Sequence, residues 1–115
     1  MAFLLQKLDV YKKALDLAEQ ITDLTEDFPR GTYYLADQLN RAVLSISANI
    51  AEGSGRLHIK ERRNFLVIAR GSTHECVPLL ELANRKRLID PDTGHNLADQ
   101  LEVISKMLSG LLNRL

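Results

Sequence analysis

The sequence has 115 residues, of which 45% are hydrophobic, and its 15 basic side chains balance its 15 acidic ones. With only three prolines and six glycines, this composition predicts one globular domain over residues 1–115 and excludes a disordered chain. The zero net charge argues against a typical nucleic-acid-binding protein, which usually carries a strong basic excess.

Cysteine usage and the lengths of the apolar runs predict a cytoplasmic location. Cys76 is the only cysteine, so no intrachain disulfide can form, which fits a reducing compartment. The apolar run Phe3-Leu4-Leu5 is too short for a signal peptide, and no run reaches the length of a membrane span. We therefore expect a cytoplasmic protein with no membrane partner.

The first predicted helix runs from about Phe3 to Glu26. Its apolar residues recur at spacings of three and four, which is typical of a helix face turned toward a bundle interior. The predicted inner stripe is Leu4, Leu8, Tyr11, Leu15, Ala18 and Ile21. The following segment contains Pro29 and Gly31 and ends the helix.

The second predicted helix follows Thr32, which we interpret as its N-cap. Its inner stripe is Leu35, Leu39, Ala42, Ile46, Asn49 and Gly53. The run from Ala42 to Ala51 contains no charged residue, so no face of this segment is suited to water. At Gly53-Ser54-Gly55 we expect a C-cap with glycine in the left-handed conformation.

The third predicted helix runs from about Ile59 to Arg87. Its inner stripe is Phe65, Ala69, Ser72, Cys76, Leu80 and Ala83. Pro78 removes one backbone hydrogen bond and crowds the carbonyl of His74, at a cost of ~3 kcal/mol. Because the apolar period continues past Pro78, the sequence predicts one helix with a kink.

The fourth predicted helix begins with Asp90 as N-cap and Pro91 in the first helical position. Its stripe is Leu97, Leu101, Ile104, Leu108, Leu111 and Leu115. No strand-like alternation occurs in the sequence. Four helices joined by short loops predict an all-α fold, an antiparallel up-down-up-down four-helix bundle.

No catalytic or metal-binding constellation stands out in the sequence. A ferritin-like di-iron centre needs two Glu-x-x-His motifs, and the chain contains none. His74 and Cys76 are two residues apart, so on a helix they point to different faces, and Cys76 is interpreted as a buried, inert thiol. We expect a protein that is not an enzyme and has no cofactor or metal; a small enzyme with an intersubunit site has the least support.

The segment that follows the second helix is the candidate site for an anion. Residues 56–63 have a net charge of +3, whereas residues 1–30 have a net charge of −2. The segment leads to the positive N-terminal end of the third helix. The candidate residues are Arg56, His58, Lys60, Arg62 and Arg63. Two interpretations remain open, namely RNA or DNA binding and an ordinary solvated surface.

A second set of polar residues is assigned a structural role. Asn49 lies on an inner stripe and is interpreted as a buried amide that fixes helix register, with direct ligand binding as the alternative. Glu52 and Glu75 are expected to form buried ion pairs with arginines, within or between subunits, rather than to act as acids or bases. The full set is Arg41, Ser45, Asn49, Glu52, Gly53, Arg70 and Glu75.

The uncharged run from Ala42 to Ala51 also predicts self-association. A helix in an isolated bundle keeps one face in water, and an apolar patch on that face is rare in soluble monomers. The interface candidates are Leu44, Ala48 and Ala51. Such a patch predicts more than one subunit without giving their number.

Several residues together resemble one bacterial family. The most specific run is SxxxNIAEGxGR, from Ser45 to Arg56, and further matches are Phe28-Pro29, Gln38, Arg41-Ala42, Phe65-Leu66, Ile68-Ala69, Gly71-Ser72 and Glu75. From about Leu8 to Leu112 the chain resembles the four-helix bundle proteins encoded in intervening sequences of 23S ribosomal RNA genes. It also looks like the accessory variability proteins of diversity-generating retroelements.

The resemblance implies a four-helix bundle that assembles as a homopentamer. The retroelement relatives are associated with nucleic acid and a reverse transcriptase through a basic surface, which makes RNA or DNA a candidate partner. The chain departs from the family in His58 and in Cys76-Val77-Pro78, and its zero net charge differs from the strongly basic retroelement relatives. We therefore expect a non-enzymatic oligomeric scaffold or adaptor, with sequence-nonspecific binding of RNA or DNA as the alternative.

Overall fold

The computed structural model describes residues 8–115, and every regular element in this range is a helix. Helix α1 covers Asp9–Thr25, α2 covers Tyr33–Ser54, α3 covers Ile59–Arg85 and α4 covers Pro91–Asn113. No strand occurs between residues 8 and 115. The predicted all-α fold with four helices is confirmed. The part of the first predicted helix before Leu8, including Leu4, lies outside the described residues.

The helices form one elongated body with extents of 44 × 26 × 20 Å. Helix α2 packs against α1 and α3, and α4 packs against α3 and α1, which makes a closed ring of neighbours compatible with a bundle. The α2–α3 contact is the most extensive and the α1–α4 contact is the least extensive.

One core of aliphatic side chains fills the space between the four helices. Each large buried side chain stabilises the fold by about 1.5–3 kcal/mol relative to an exposed one. The largest fully buried aliphatic side chains are Leu17, Ile21, Leu35, Leu39, Ile46, Ile50, Leu97, Leu101, Ile104 and Leu108. The stripes predicted for α2, α3 and α4 therefore agree with the core over most of their length.

Two of the predicted stripes contain errors. In α1 the side chain of Leu15 is 44% exposed, and the core positions are Val10, Ala14, Leu17, Ala18 and Ile21. Of the predicted stripe, only Leu15 is misplaced among the described residues, because Ala18 and Ile21 lie in the core and Leu8 and Tyr11 pack against it. At the end of α4, Leu112 is buried in place of Leu115, which is exposed.

The starts of α2 and α4 differ in their capping. The Asp90 side chain accepts a hydrogen bond from the Thr93 backbone N–H at 3.4 Å, and Pro91 is the first helical residue, which confirms the predicted cap. The predicted Thr32 cap is wrong. Thr32 occupies the N-cap position, but its hydroxyl donates to the Pro29 carbonyl at 2.6 Å and leaves the helix N–H groups uncapped.

The left-handed glycine cap predicted at the end of α2 is also wrong. Helix α2 continues through Ser54, and Gly55 has φ −86° and ψ −5°, which is right-handed. Gly53 lies within the helix and faces α3. A Cβ at this position would be 3.2 Å from Phe65 Cβ and 3.3 Å from the Arg62 carbonyl oxygen. The glycine is therefore explained by the close approach of two helices.

Helix α3 contains Pro78 without interruption and ends at Arg85, two residues before the predicted end. Arg87 then adopts a positive φ of 60°. The Leu88 N–H donates to the Ala83 carbonyl at 2.9 Å, and the Arg87 N–H donates to the Asn84 carbonyl at 3.0 Å. These two bonds form a Schellman motif with arginine in the position that glycine usually occupies.

Candidate functional site

The basic residues that follow α2 lie around the beginning of α3. Arg56 Nη2 donates to Glu52 Oε2 at 2.9 Å, and Arg56 Nη1 lies 3.9 Å from Glu61 Oε2. The Arg56 guanidinium carbon is also 4.8 Å from the centroid of the Phe65 ring, within range of a cation–π interaction. Arg56 is therefore held by two carboxylates and an aromatic ring of its own chain.

Two further arginines of this group bind backbone carbonyls. Arg62 Nε donates to the Arg56 carbonyl at 2.7 Å, which braces the loop between α2 and α3. Arg63 Nη1 donates to the Leu112 carbonyl at 3.2 Å, and this carbonyl belongs to the last turn of α4. A cation at this position also interacts favourably with the helix dipole of α4.

His58, Lys60 and Arg63 are the exposed members of the basic group, and of these only Arg63 binds another group of the chain. His58 occupies the N-cap position of α3, and its side chain makes no capping hydrogen bond. The first N–H groups of α3 therefore point out of the helix without a side-chain acceptor at the cap, beside an exposed lysine. An open groove next to them is lined by His58, Lys60, Glu61, Arg63, Asn64, Phe65 and Val67. The five predicted basic residues lie close together in the structure. Three of them, Arg56, Arg62 and Arg63, already bind carboxylates or backbone carbonyls of the same chain.

A polar network joins α2 and α3 in the middle of the molecule. The hydroxyl oxygens of Ser45 and Ser72 are 2.8 Å apart. Asn49 Nδ2 donates to the Ser45 carbonyl at 2.8 Å and to Ser45 Oγ at 2.9 Å. Because that carbonyl can only accept, the amide orientation of Asn49 is determined. Asn49 is half-buried in the single chain, and its Nδ2 is satisfied by Ser45 of its own helix.

The charged residues assigned to structural ion pairs are exposed in the single chain. Arg41 pairs with Asp37 at 3.1 Å, and its side chain is 76% exposed. Arg70 Nε donates to Ser109 Oγ at 2.9 Å. Glu75 forms no ion pair with the residues that the structure describes. Within one chain, the predicted pair between Glu52 and Arg56 forms at 2.9 Å on the surface, and exposed pairs of this kind contribute at most about 1 kcal/mol.

Cys76 is fully buried between the helices, as predicted. Burial raises the pKa of its thiol from 9.0 to about 12, and the nearby Glu75 carboxylate contributes in the same direction. The thiol is therefore protonated at neutral pH and is a poor nucleophile. His74 faces α4, where its Nε2 lies 3.0 Å from Ser105 Oγ.

Neither a metal site nor a membrane span is found in the described part of the chain. Between residues 8 and 115, no three His, Cys, Asp or Glu side chains are grouped so that they could hold a metal ion. None of the described helices has the length and apolar character needed to cross a membrane.

The comparison with family models identifies the chain. The model of the family described as 23S rRNA-intervening sequence protein matches residues 6–110. The chain belongs to this family. The resemblance seen in the motif from Ser45 to Arg56 is thereby confirmed.

A solved structure supports the same assignment for this intervening-sequence family protein. It is the crystal structure of a protein of unknown function from the S23 ribosomal protein family of Bacteroides thetaiotaomicron. The two folds superpose with a TM-score of 0.84 and 26% sequence identity, over 90% of this chain and 97% of that chain. No curated protein matches the chain.

Exposed apolar side chains are a prominent surface feature of this family member. Leu44 is 51% exposed, Ala48 is exposed and Ala51 is half-buried, so the uncharged run of α2 does present apolar groups to solvent. Sequence reasoning missed the exposed apolar residues of α3. These are Ile59, Val67, Ile68, Val77 and Leu82. The run Leu66-Val67-Ile68-Ala69 gave a signal for Val67 and Ile68, because four successive apolar residues cannot all face one side of a helix.

Proposed function

We propose that this protein is a non-enzymatic, self-assembling helical scaffold or adaptor. The observation that carries the proposal is Leu44, which is 51% exposed in the middle of the run from Ala42 to Ala51 that has no charged residue. Single exposed apolar residues are ordinary, but Leu44 and Ala48 are exposed one turn apart in a segment whose outer side has no charged residue, which favours an interface. A second copy over this segment would remove Leu44 from water.

The proposed assembly has identical subunits and a cytoplasmic location in a bacterium. The family resemblance implies five subunits, whereas the exposed apolar surface requires only more than one. The family description and the name of the similar structure refer to 23S rRNA and to a ribosomal protein family. They provide the reason for testing RNA as a partner.

Size-exclusion chromatography with light scattering tests the proposal. The subunit mass is 13.0 kDa, and we expect a mass several times this value, five times for a pentamer. A stable 13.0 kDa monomer at micromolar concentration would refute self-assembly.

For the architecture, we propose that the four helices alternate in direction. Hydrogen bonds between α3 and α4 join Arg63 to Leu112 and His74 to Ser105. Residue numbers therefore rise along α3 while those of their partners in α4 fall, as in two antiparallel helices. The short loops between successive helices support the same up-down-up-down order.

We also propose that Pro78 kinks α3. Proline lacks the N–H that would bond to the His74 carbonyl, and its ring crowds that carbonyl. Pro78→Ala restores the bond and removes the crowding, so the free energy of unfolding should rise or stay near the wild-type value. Urea denaturation measures this change. A large loss of stability would contradict a kink in an otherwise continuous helix.

A second candidate function is sequence-nonspecific binding of RNA or DNA at the start of α3. The supporting observation is the uncapped end of this helix beside exposed His58 and Lys60. Phosphate groups bind favourably at such helix ends. Because Arg56, Arg62 and Arg63 already bind groups of the chain, His58 and Lys60 are the residues to replace.

Fluorescence anisotropy with labelled RNA and duplex DNA at two salt concentrations tests this candidate. A nonspecific binder loses affinity steeply as salt rises. The double variant His58→Ala, Lys60→Glu should bind much more weakly, whereas Lys86→Glu at the other end of α3 should bind like the wild type. Equal binding by all three proteins would place the site elsewhere, and no binding by the wild type would remove the candidate.

A further inference from the structure

Two hydrogen bonds between side chains cross the groove that separates α3 from α4. Arg70 Nε donates to Ser109 Oγ at 2.9 Å, and His74 Nε2 lies 3.0 Å from Ser105 Oγ. Residues four apart on a helix lie on the same face. Arg70 and His74 therefore line one wall of the groove, and Ser105 and Ser109 line the other. These four residues form the α3–α4 polar cluster, in which the arginine and the histidine are exposed and the two serines are half-buried.

Arg70 has no carboxylate partner among residues 8–115. By contrast, Arg41 and Arg85 each pair with a carboxylate four residues earlier, at 3.1 Å in both cases. The residue four positions before Arg70 is Leu66, which is buried in the core. Ser109 occupies Nε, while Nη1 and Nη2 make no hydrogen bond within the described chain. The guanidinium therefore keeps two nitrogens and its full charge for an anion from outside.

The two serine hydroxyls of the cluster lack the bond that commonly occupies a hydroxyl in a helix. Ser54 in α2 shows that bond, because its Oγ donates to the backbone carbonyl four residues earlier at 2.9 Å. In the part of the chain that the structure describes, neither Ser105 nor Ser109 donates in this way. Since Ser109 Oγ accepts from Arg70, its hydrogen is free to donate to another acceptor.

Two carboxylates share the groove with the cluster, and each is paired with a cation of its own helix. Glu102, one turn before the first serine of the cluster, pairs with Lys106 at 3.2 Å. Glu81, two turns after the histidine of the cluster, pairs with Arg85 at 3.1 Å. Each pair has no net charge, so an anion at the cluster meets little repulsion from these carboxylates.

The charges next to the cluster that form no ion pair are Glu75 and Arg63. Glu75 lies one turn after Ser72, whose hydroxyl contacts α2, so its carboxylate is on the side of α3 away from α4. Arg63 is two turns before Arg70 on the same face, about 10 Å away along the helix. Its Nη1 donates to the Leu112 carbonyl at 3.2 Å, which places its charge beside the negative C-terminal end of α4. The cluster therefore lies at the positive part of the groove.

The size of the cluster fits one tetrahedral oxyanion. Its long edges follow residues four apart, about 6 Å, and its short edges are hydrogen bonds of 2.9 and 3.0 Å. An anion placed over the centre of this rectangle would have its oxygens roughly 3 Å from the surrounding nitrogens and hydroxyls, which is hydrogen-bond distance. The planar guanidinium of Arg70 also matches two oxygens of a phosphate.

The same groove is unsuited to the backbone of a nucleic acid. A groove that follows such a backbone carries positive charge along its length. Here the pairs of Glu81 with Arg85 and of Glu102 with Lys106 place carboxylates on the path of the neighbouring phosphates. A single phosphate group needs only one positive centre, and a phosphate monoester carries about −1.5 to −2 charges at pH 7.

We propose that the α3–α4 polar cluster binds inorganic phosphate or the phosphate group of a monoester, with Arg70 as the main ligand and Ser109 as a hydrogen-bond donor. The site is separate from the start of α3, where nucleic acid is the candidate ligand. The inference depends neither on that candidate nor on self-assembly.

Phosphorus NMR with inorganic phosphate as the probe tests the site. At constant ionic strength, the wild-type protein should broaden the phosphate signal in a saturable manner. Arg70→Gln should weaken binding at least tenfold, because it removes a charge-assisted pair of hydrogen bonds. Arg41→Gln is the matched control, since it removes an equal charge from an exposed arginine of α2 and should bind like the wild type. Binding that does not saturate, or equal binding by Arg70→Gln and the wild type, would overturn the site.

A second variant covers the case in which Arg70→Gln fails to fold. Ser109→Asp keeps Arg70 but supplies it with a carboxylate of the same chain, so phosphate binding should be lost while the helical circular dichroism stays that of the wild type. Phosphate binding by Ser109→Asp with wild-type affinity would contradict a role for this cluster.

Competition distinguishes the possible sources of the phosphate group. Phenyl phosphate should displace inorganic phosphate from the wild-type protein, whereas an RNA oligonucleotide without a terminal phosphate should displace little at the same concentration of phosphate groups. Stronger displacement by the RNA would show that the cluster binds a nucleic-acid backbone and would refute the assignment to a phosphate monoester.

Discussion

Gly53 lies inside α2, where a glycine normally lowers helix stability by about 0.5–1 kcal/mol relative to alanine. Its place is explained by α3, because a Cβ at this position would approach the Phe65 side chain and the Arg62 carbonyl oxygen to 3.2 and 3.3 Å. A carbonyl oxygen within a helix cannot move away as a side-chain end can. The absence of one methyl group therefore sets how closely α2 and α3 approach each other.

The first prediction compares two glycines in helices. A Cβ at Gly110 in α4 would meet no neighbouring atom within 4 Å, so Gly110→Ala should stabilise the protein by about 1 kcal/mol. Gly53→Ala should lose about 1 kcal/mol, because the contact with α3 outweighs the gain in helix propensity. Urea denaturation of both variants measures the difference. Equal stabilisation by both substitutions would contradict the close approach at Gly53.

The buried thiol of Cys76 predicts a dependence of stability on pH. Burial raises the pKa of this group from 9.0 to about 12 in the folded chain, so the folded state retains a proton that the unfolded state loses. The stabilising contribution is fully present below pH 9 and is lost as the pH rises toward 12. Between about pH 8 and pH 10.5, the unfolding free energy of the wild type should fall more than that of Cys76→Ala. Parallel losses in the two proteins would show that the thiol does not titrate as described.

At the scale of the helices, the end of α3 is strained at one residue. Arg87 occupies the left-handed position of the Schellman motif with φ 60°. In this conformation the Cβ of an L-residue is crowded by the following carbonyl, at a cost of about 1–2 kcal/mol that glycine avoids. The motif nevertheless satisfies the carbonyls of Ala83 and Asn84 at the end of the helix.

Arg87→Gly should therefore stabilise the protein by about 1 kcal/mol, since the relief of strain exceeds the entropy lost by ordering a glycine. The control is Arg85→Gly. Arg85 is the last residue of α3 and has a helical conformation, so glycine there should destabilise the protein. Thermal denaturation followed by circular dichroism distinguishes the two variants. A loss of stability in Arg87→Gly would contradict the strained cap.

The helices could be predicted from the sequence wherever the local signals agreed. Asp90-Pro91 specified the start of α4 because both the cap and the fixed proline φ act within one turn. The centre of the α1 face was ambiguous, since Leu15 fits the spacing from Tyr11 to Ala18 as well as Ala14 fits the spacing from Val10 to Leu17. Packing against other helices decides between such series, and that information is absent from the pattern.

The candidate site was predictable in composition but not in its contacts. The five basic residues are close in sequence, so their proximity in the fold followed directly. The partner of Arg63, the Leu112 carbonyl, is 49 residues away, and no local pattern indicates it. The role of Gly53 could not be predicted for the same reason. In the sequence, a glycine required by close contact with a neighbouring helix cannot be distinguished from a glycine at a helix end.

At the scale of the whole molecule, folding and assembly are expected to be coupled. A chain whose core holds four helices can fold alone, but each copy that binds another removes free folded chains from the equilibrium. The melting temperature of a self-assembling protein therefore rises with protein concentration, whereas that of a monomer does not change. The uncharged run of α2 is the segment that should produce this coupling.

The variant Leu44→Lys separates the stability of the single folded chain from the stability added by assembly. Leu44 is half exposed and outside the core, so this variant should retain wild-type helicity and a melting temperature similar to that of the dilute wild type. Its melting temperature should no longer rise when the protein concentration is increased a hundredfold, because the charge prevents a second copy from covering Leu44. Leu39→Lys is the comparison for burial: Leu39 is fully buried, so a lysine there should unfold the chain at every concentration. Scanning calorimetry at two concentrations measures all three proteins. A concentration-dependent melting temperature in Leu44→Lys equal to that of the wild type would show that the subunits assemble through a different surface.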